Sequence, residues 1–343
     1  EFTPTGFNVI GNASNNNGNG VEFIYLAIRR SDGYCGRIPE LGTSVFAMDV
    51  GNTDANIPNF DSTFPVDFAL IRAFASSSDW RTGSRLIGTK YLKTNDTSTE
   101  TNNNDHTWDS NVGINKNFYP DTWQAWMWKR HAGFDVVAYD SKSQAENTQI
   151  AHSMSVAPEM IFIKYRNNTN KWIVGHKGLN GGTNAWAYNL VLNTDDDEEI
   201  LSSTYTTFSS TAPTSTHFTV GSNWDVNAGS GASYIAMLFA STDVSAVGSY
   251  TGNGSTSLRT ITFGFQPRFI FIKATDISGC WWTTYDTLRG WGSGAENMLW
   301  LNANSAQGVY SDFIDPTSTG ISMETDNLRF NQNNVNYIYY AHA

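Results

Sequence analysis

The chain has 343 residues, too many for one sandwich core and enough for about two to four domains of ordinary size. Hydrophobic residues make up 40%, aromatics 14% and charged residues only 15%, so polarity rests on Asn, Ser, Thr and Gly, which favour turns over helix interiors. With 21 basic against 32 acidic residues the net charge is −11, which repels phosphate backbones and argues against a nucleic-acid partner.

The predicted elements follow a repeat. At the N-terminus, Phe2–Phe7 (FTPTGF) resembles the later Phe313–Ile321 (FIDPTSTGI), and Gly20–Arg30 (GVEFIYLAIRR) resembles strands that close units further on. Residues 1–30 therefore read as the last third of a module whose first two thirds are missing. A piece that small cannot bury a two-layer core, so it is expected to complete a sheet with upstream residues or another subunit. Residues 31–44 (SDGYCGRIPELGTS) have no counterpart and read as an insertion or linker. Three modules follow at 45–131, 132–241 and 242–343.

Each module opens with a short apolar strand and a polar turn, as in VFAMDVGNTDANI, FDVVAYDSKSQAENTQI and VGSYTGNGSTSLRTI. A proline then precedes an apolar run closed by a cation: Pro65 to Arg72, Pro158 to Lys164, Pro267 to Lys273. Trp80, Trp172 and Trp281 each follow that cation by eight residues. Leu86, Leu179 and Leu288 come next, then the short strands KYLKTN, NLVLNT and MLWLNAN. The closing strands put Phe23, Trp123, Tyr234 and Tyr337 in register, at spacings of 100, 111 and 103 residues.

Short apolar runs punctuated by Gly, Asn, Asp, Ser and Pro predict an all-β chain of tandem antiparallel β-sandwich modules, jelly-roll or lectin-like, each of about a hundred residues. A propeller is the alternative, but its blades are usually only about 40 to 50 residues long. The run FIFI, closed by Lys273, is apolar at every position, which fits a strand buried on both faces or one with an aliphatic partner outside. The recurrent tryptophans are expected in the core, and alternation places Trp126 and Trp128 on one face of their strand with Trp123 on the other.

Candidate chemistry is sparse. Trp186, Trp224 and Trp291 are not required by the repeat and lie among Gly, Asn and Ser, as loop rings that stack on sugar faces do; a cell-surface glycan is the ligand they suggest. The acidic run Asp195–Glu199 (DDDEE) lacks the alternate spacing and Gly of a calcium loop and reads as a solvated turn, so no metal is expected. Cys35 and Cys280 imply neither a disulfide framework nor a zinc site, and no cofactor motif is present. No strand carries the alternating acids of a sandwich glucanase, and the six histidines fall at unrelated positions, so the chain reads as non-catalytic. No apolar run approaches the roughly 18 residues of a spanning helix and no signal-like start occurs, so membrane insertion is not expected. The start at Glu1 without Met suggests processing or further residues upstream.

The set of P-x-F-I-F-I-K, a following Trp, L-x-L-N, a T-x-T-G-F turn and a closing Y-I-A strand resembles an uncharacterised β-sandwich repeat family of structural and tail-fibre-like proteins in tailed, especially marine, bacteriophages. The likeness covers the three units and the partial one; the first unit departs from it at Arg72 and KYLKTN. It implies a virion-surface structural protein, a tail fibre, appendage or decoration component, forming homo-oligomers and contacting other virion proteins. It carries over no functional residue. The alternative is a secreted bacterial adhesin or carbohydrate-binding protein, placed extracellularly.

Overall fold

The computed structural model describes the chain except residues 1, 4, 5, 8, 12–16, 26–40, 53–57, 116–118, 202, 203, 293, 295, 311 and 312. It forms two compact units, Glu1–Leu41 and Gly42–Ala343. In the first, Phe2–Thr3 and Gly6–Phe7 form a small antiparallel hairpin, and no strand occurs among the described residues from Val9 to Tyr25. The end of the predicted partial module (26–30) and residues 31–40 of the predicted insertion, with Cys35, lie outside the described residues.

The second unit is all-β and consists of three antiparallel modules, each with a six-stranded sheet of identical order. Across the first sheet lie Phe46–Asn52, Tyr119–Trp128, Phe68–Ala73, Arg81–Ser84, Lys90–Leu92 and Thr101–Asn102. The second has Phe134–Asp140, Ser233–Phe239, Met160–Tyr165, Trp172–His176, Tyr188–Val191 and Glu199–Ile200 in the same places. In the third they are Ser245–Thr251, Asn336–His342, Phe269–Ala274, Thr283–Asp286, Glu296–Trp300 and Gly308–Tyr310. The last strand of the module thus inserts between its first strand and its central one. A smaller sheet accompanies each: Phe60–Asp61 with Gly113–Ile114, Thr148–Ala151 with His217–Val220, and Arg259–Thr262 with Gly320–Met323 and Ile314–Thr317.

Burial explains the composition. Phe68–Ala73, Met160–Tyr165 and Phe269–Ala274 are buried at all six positions, which is why, apart from the cations Arg72, Lys164 and Lys273, they run apolar rather than alternating. The far edge strands are only two or three residues long, which limits edge-to-edge pairing between molecules. One face of each six-stranded sheet enters a common core holding Trp80, Trp126, Trp128, Trp172, Phe271 and Trp282. The other faces of the first and third sheets pack beneath their own small sheets, around Phe60, Ile71 and Ile114 and around Ile270, Ile314 and Ile321. The modules are therefore sandwich-like on the outside and fused at the centre, which the repeat pattern did not reveal.

The third recurrent tryptophan is Trp282 rather than Trp281. Trp80, Trp172 and Trp282 are each fully buried, and their backbone N–H groups donate to the carboxamide oxygens of Asn95, Asn193 and Asn302 at 2.9, 2.9 and 3.1 Å. The loop after Lys273 is one residue longer than its counterparts, which moves Trp281 out of the core to a half-buried place. The same bonds fix the first module's register, with Leu92, Thr94 and Asn95 matching Leu190, Leu192 and Asn193. Leu86, Leu179 and Leu288 are not equivalent: Leu179 is buried, the other two are exposed, and the matching buried positions are Ile87, Leu179 and Arg289.

Candidate functional site

The residues that recur in every module meet at three joints. Each core indole donates to a neighbouring module: Trp80 Nε1 to Trp300 O at 2.8 Å, Trp172 Nε1 to Lys93 O at 2.7 Å, and Trp282 Nε1 to Val191 O at 3.2 Å. The first module reaches the third, the second the first, and the third the second, so the contacts close a ring. Backbone bonds join the same pairs with donor and acceptor modules exchanged: Gln307 N to Phe74 O at 2.8 Å, Glu100 N to Arg166 O at 2.8 Å, and Glu198 N to Thr275 O at 2.6 Å.

The recurrent cations are buried in these joints. Arg72 donates to the carbonyls of Ala303 and Ser305, and Lys164 Nζ to those of Thr97 at 3.1 Å and Tyr165 at 2.9 Å. Lys273 Nζ donates to Ala274 O at 2.7 Å and is attracted by the acidic run beginning at Asp195. Burial lowers Arg72 to about 10 and both lysines to about 8, because each charge has lost its water.

These lysines make stability depend on pH. Their unfolded value is 10.5, so the unfolded chain holds more protons over the window from about 8 to 10.5, and folding strengthens as pH rises through it. Above about 10 the buried tyrosines Tyr139, Tyr250 and Tyr339, whose hydroxyls are pushed up by burial, act in the opposite direction. Urea unfolding is therefore expected to show higher stability at pH 9.5 than at pH 7.5, by roughly 1–3 kcal/mol. The gain should shrink in Lys164→Met, and a flat profile would contradict the buried-amine account.

The acidic run, exposed at Asp196 and Asp197, serves the joint between the second and third modules as well as forming a solvated turn. Asp195 Oδ2 accepts from Trp281 Nε1 at 3.1 Å, Asp197 Oδ1 from Ser278 Oγ at 2.8 Å, and Glu198 Oε2 from Asn180 N at 2.7 Å.

Of the three loop tryptophans, one is on the surface. Trp186 and Trp291 are 7% and 4% exposed, which removes them as stacking platforms. Trp186 fills the space left by Gly175, where an added Cβ would lie 2.8 Å from its ring, and it packs edge-on against Phe208. Trp291 stacks on Tyr285 and donates to Ile314 O at 2.8 Å. Trp224 is 56% exposed, on a short helix, Trp224–Asn227, capped by Asn223. Next to it, Asp225 Oδ1 accepts from Asn170 Nδ2 at 3.0 Å and from Lys171 N at 3.1 Å. The exposed Leu328 holds the matching place in the third module, since Tyr234 donates to Trp224 O and Tyr337 to Leu328 O, both at 2.8 Å.

The interior offers little room. A cavity of about 10 Å³ where the three sheets converge is lined by Leu70, Trp128, Phe162, Met237, Phe239 and Phe271 among others, the size and polarity of a dry packing defect. A surface recess of about 300 Å³ contains one lining carboxylate, Asp135, alongside Arg130 and His152. Its Oδ1 is bound by Arg130 Nε at 3.0 Å and its Oδ2 by Ser153 N at 2.8 Å, so it is a structural anchor. His106 and His176 are buried and pushed down to about 3, hence neutral. Asn95, which opens an Asn-x-Thr triplet, has its carboxamide committed within its own module: Oδ1 accepts from Trp80 N and Nδ2 donates to Asp79 at 2.8 Å.

A family model described as "Domain of unknown function (DUF7483)" matches residues 89–343, from the strand Lys90–Leu92 of the first module through the third. No curated protein matches the chain.

Proposed function

The chain belongs to that family, and since no activity comes with the membership we propose, from the geometry, that it is a non-catalytic structural protein of a bacteriophage virion surface: a tail fibre, appendage or decoration component. One observation carries the reading. The side chains that recur in all three modules, namely the indole, the cation and the Asn that holds the indole's backbone, are spent on packing and on the joints. A repeat whose recurring residues all serve closure makes a stiff spacer, which is what a fibre or decoration component needs. The likeness of its motifs to phage tail-fibre-like repeats supports the same assignment, with homo-oligomers and other virion proteins as partners.

Antibodies raised against the ring should label phage particles in immunogold electron microscopy of a lysate. Label confined to the bacterial envelope or medium would overturn the virion reading in favour of a secreted adhesin. Glycan contact is a second role, favoured by the exposed ring of Trp224 among Asn170, Asn223 and Asp225. Trp224→Ala is expected to weaken binding to a glycan array or host cells about tenfold, the loss of roughly 1.4 kcal/mol of stacking. Unchanged binding in that variant would remove the role.

A further inference from the structure

Residues 1–25 repeat the end of the third module in sequence, and their hairpin repeats its last hairpin in structure. The N-terminal hairpin pairs Thr3 with Gly6 and Phe2 with Phe7. The last hairpin of the third module pairs Thr317 with Gly320 and Pro316 with Ile321, turning through the same Thr-x-Thr-Gly. From the turn glycine to the aromatic that begins the closing strand is 17 residues in both, Gly6 to Phe23 and Gly320 to Tyr337. From there EFIYLAI (22–28) aligns without a gap on NYIYYAH (336–342), with Ile24 on Ile338 and Tyr25 on Tyr339; residues 26–28 enter this comparison by sequence alone.

In the third module neither element stands by itself. Gly320–Met323 pairs with Arg259–Thr262, and Asn336–His342 is hydrogen-bonded on both edges, by Ser245–Thr251 and Phe269–Ala274. All three partner strands come from the opening part of the module, and six of the seven closing-strand residues are buried. In the N-terminal unit Val21, Phe23 and Ile24 are 53%, 43% and 102% exposed. Successive strand residues point to opposite faces, so a run apolar at consecutive positions is suited to a strand covered on both sides. The ring modules have no vacancy for it, because each already holds its own closing strand.

We infer that the N-terminal segment is the closing third of a fourth module, completed by strands of the kind that open this same repeat. Completion takes one strand like Ser245–Thr251, one like Arg259–Thr262 and one apolar strand of the P-x-F-I-F-I-K type. Docking is strand addition: main-chain hydrogen bonds on both edges hold the inserted segment, and the alternating pockets for Phe23, Ile24 and Tyr25 select it. This inference stands whether the particle is a virion or not.

The test places the segment in a slot known to be its counterpart. In the full chain, residues 317–342 are replaced by a copy of residues 3–28, an equal length, and a control carries the last seven transplanted residues in shuffled order. The chimera is expected to unfold cooperatively with a midpoint within about 10 °C of the parent, while the shuffled control does not fold. Because loop contacts of the native hairpin are also exchanged, a milder variant, N336E/Y337F/Y340L/H342I, installs the closing strand alone. Cooperative unfolding of either variant supports the inference. Failure of both, or a shuffled control as stable as the chimera, overturns it.

Discussion

Alanine in place of Trp282 is expected to destabilise the ring by about 3–5 kcal/mol, the range for emptying a packed aromatic site. The indole is fully buried, and its removal also leaves Val191 O without the donor that ties the third module to the second. Trp281, its neighbour, is half-buried, meets Trp300 edge-on at 4.9 Å and donates one bond to Asp195. Trp281→Ala should therefore cost only about 1–2 kcal/mol. Guanidinium chloride titrations of the two variants distinguish them directly. Equal losses would mean that Trp282 does not hold the place of Trp80 and Trp172, and the threefold equivalence of the joints would fail with it.

The second large effect concerns a buried ion pair in the third module. Four and seven residues after the core tryptophan stand Ser84 and Ile87 in the first module, His176 and Leu179 in the second, and Asp286 and Arg289 in the third. Asp286 Oδ2 accepts from Arg289 Nε at 2.7 Å and from Trp126 Nε1 of the first module at 3.1 Å, with the two charged side chains 0% and 3% exposed. Asp286→Ala strands the guanidinium in the interior beside Arg72 and is expected to cost about 3–5 kcal/mol. Replacing both residues by the first module's pair, D286S/R289I, removes the stranded charge and relieves Arg72, so most of that loss should return. A double variant as unstable as the single one would show that the pair serves the joint in a way Ser84 and Ile87 do not.

How far the sequence revealed this molecule depended on the range of the interaction. Strand identity is local: consecutive apolar residues in FIFIK fitted a strand covered on both faces, and alternation put Trp126 and Trp128 on one face, which is the one that enters the core. The choice between Trp281 and Trp282 hinged on one extra loop residue beside two adjacent tryptophans, which no spacing rule resolves. The joints are non-local, linking Trp80 to Trp300 and Arg72 to Ala303, and no periodicity encodes which carbonyl an indole will find. Trp186 and Trp291 looked like loop rings because glycines surround them. In the case of Trp186 a glycine, Gly175, is what makes room for the ring to sink. The acidic run misled for a related reason, since its donors, Trp281 and Ser278, arrive from another module.

Closure of the three joints also limits how such a chain can change size. Open solenoids tolerate gain or loss of a unit, because each repeat leans only on its neighbours and the ends are capped. A ring in which every member lends a carbonyl to one side and takes one from the other has no ends to cap. Deleting one member would leave two unmatched seams, one with an indole lacking its acceptor and the other with a carbonyl lacking its donor. Length variation in chains of this type is thereby confined to loops, and the copy number within the ring is held at three.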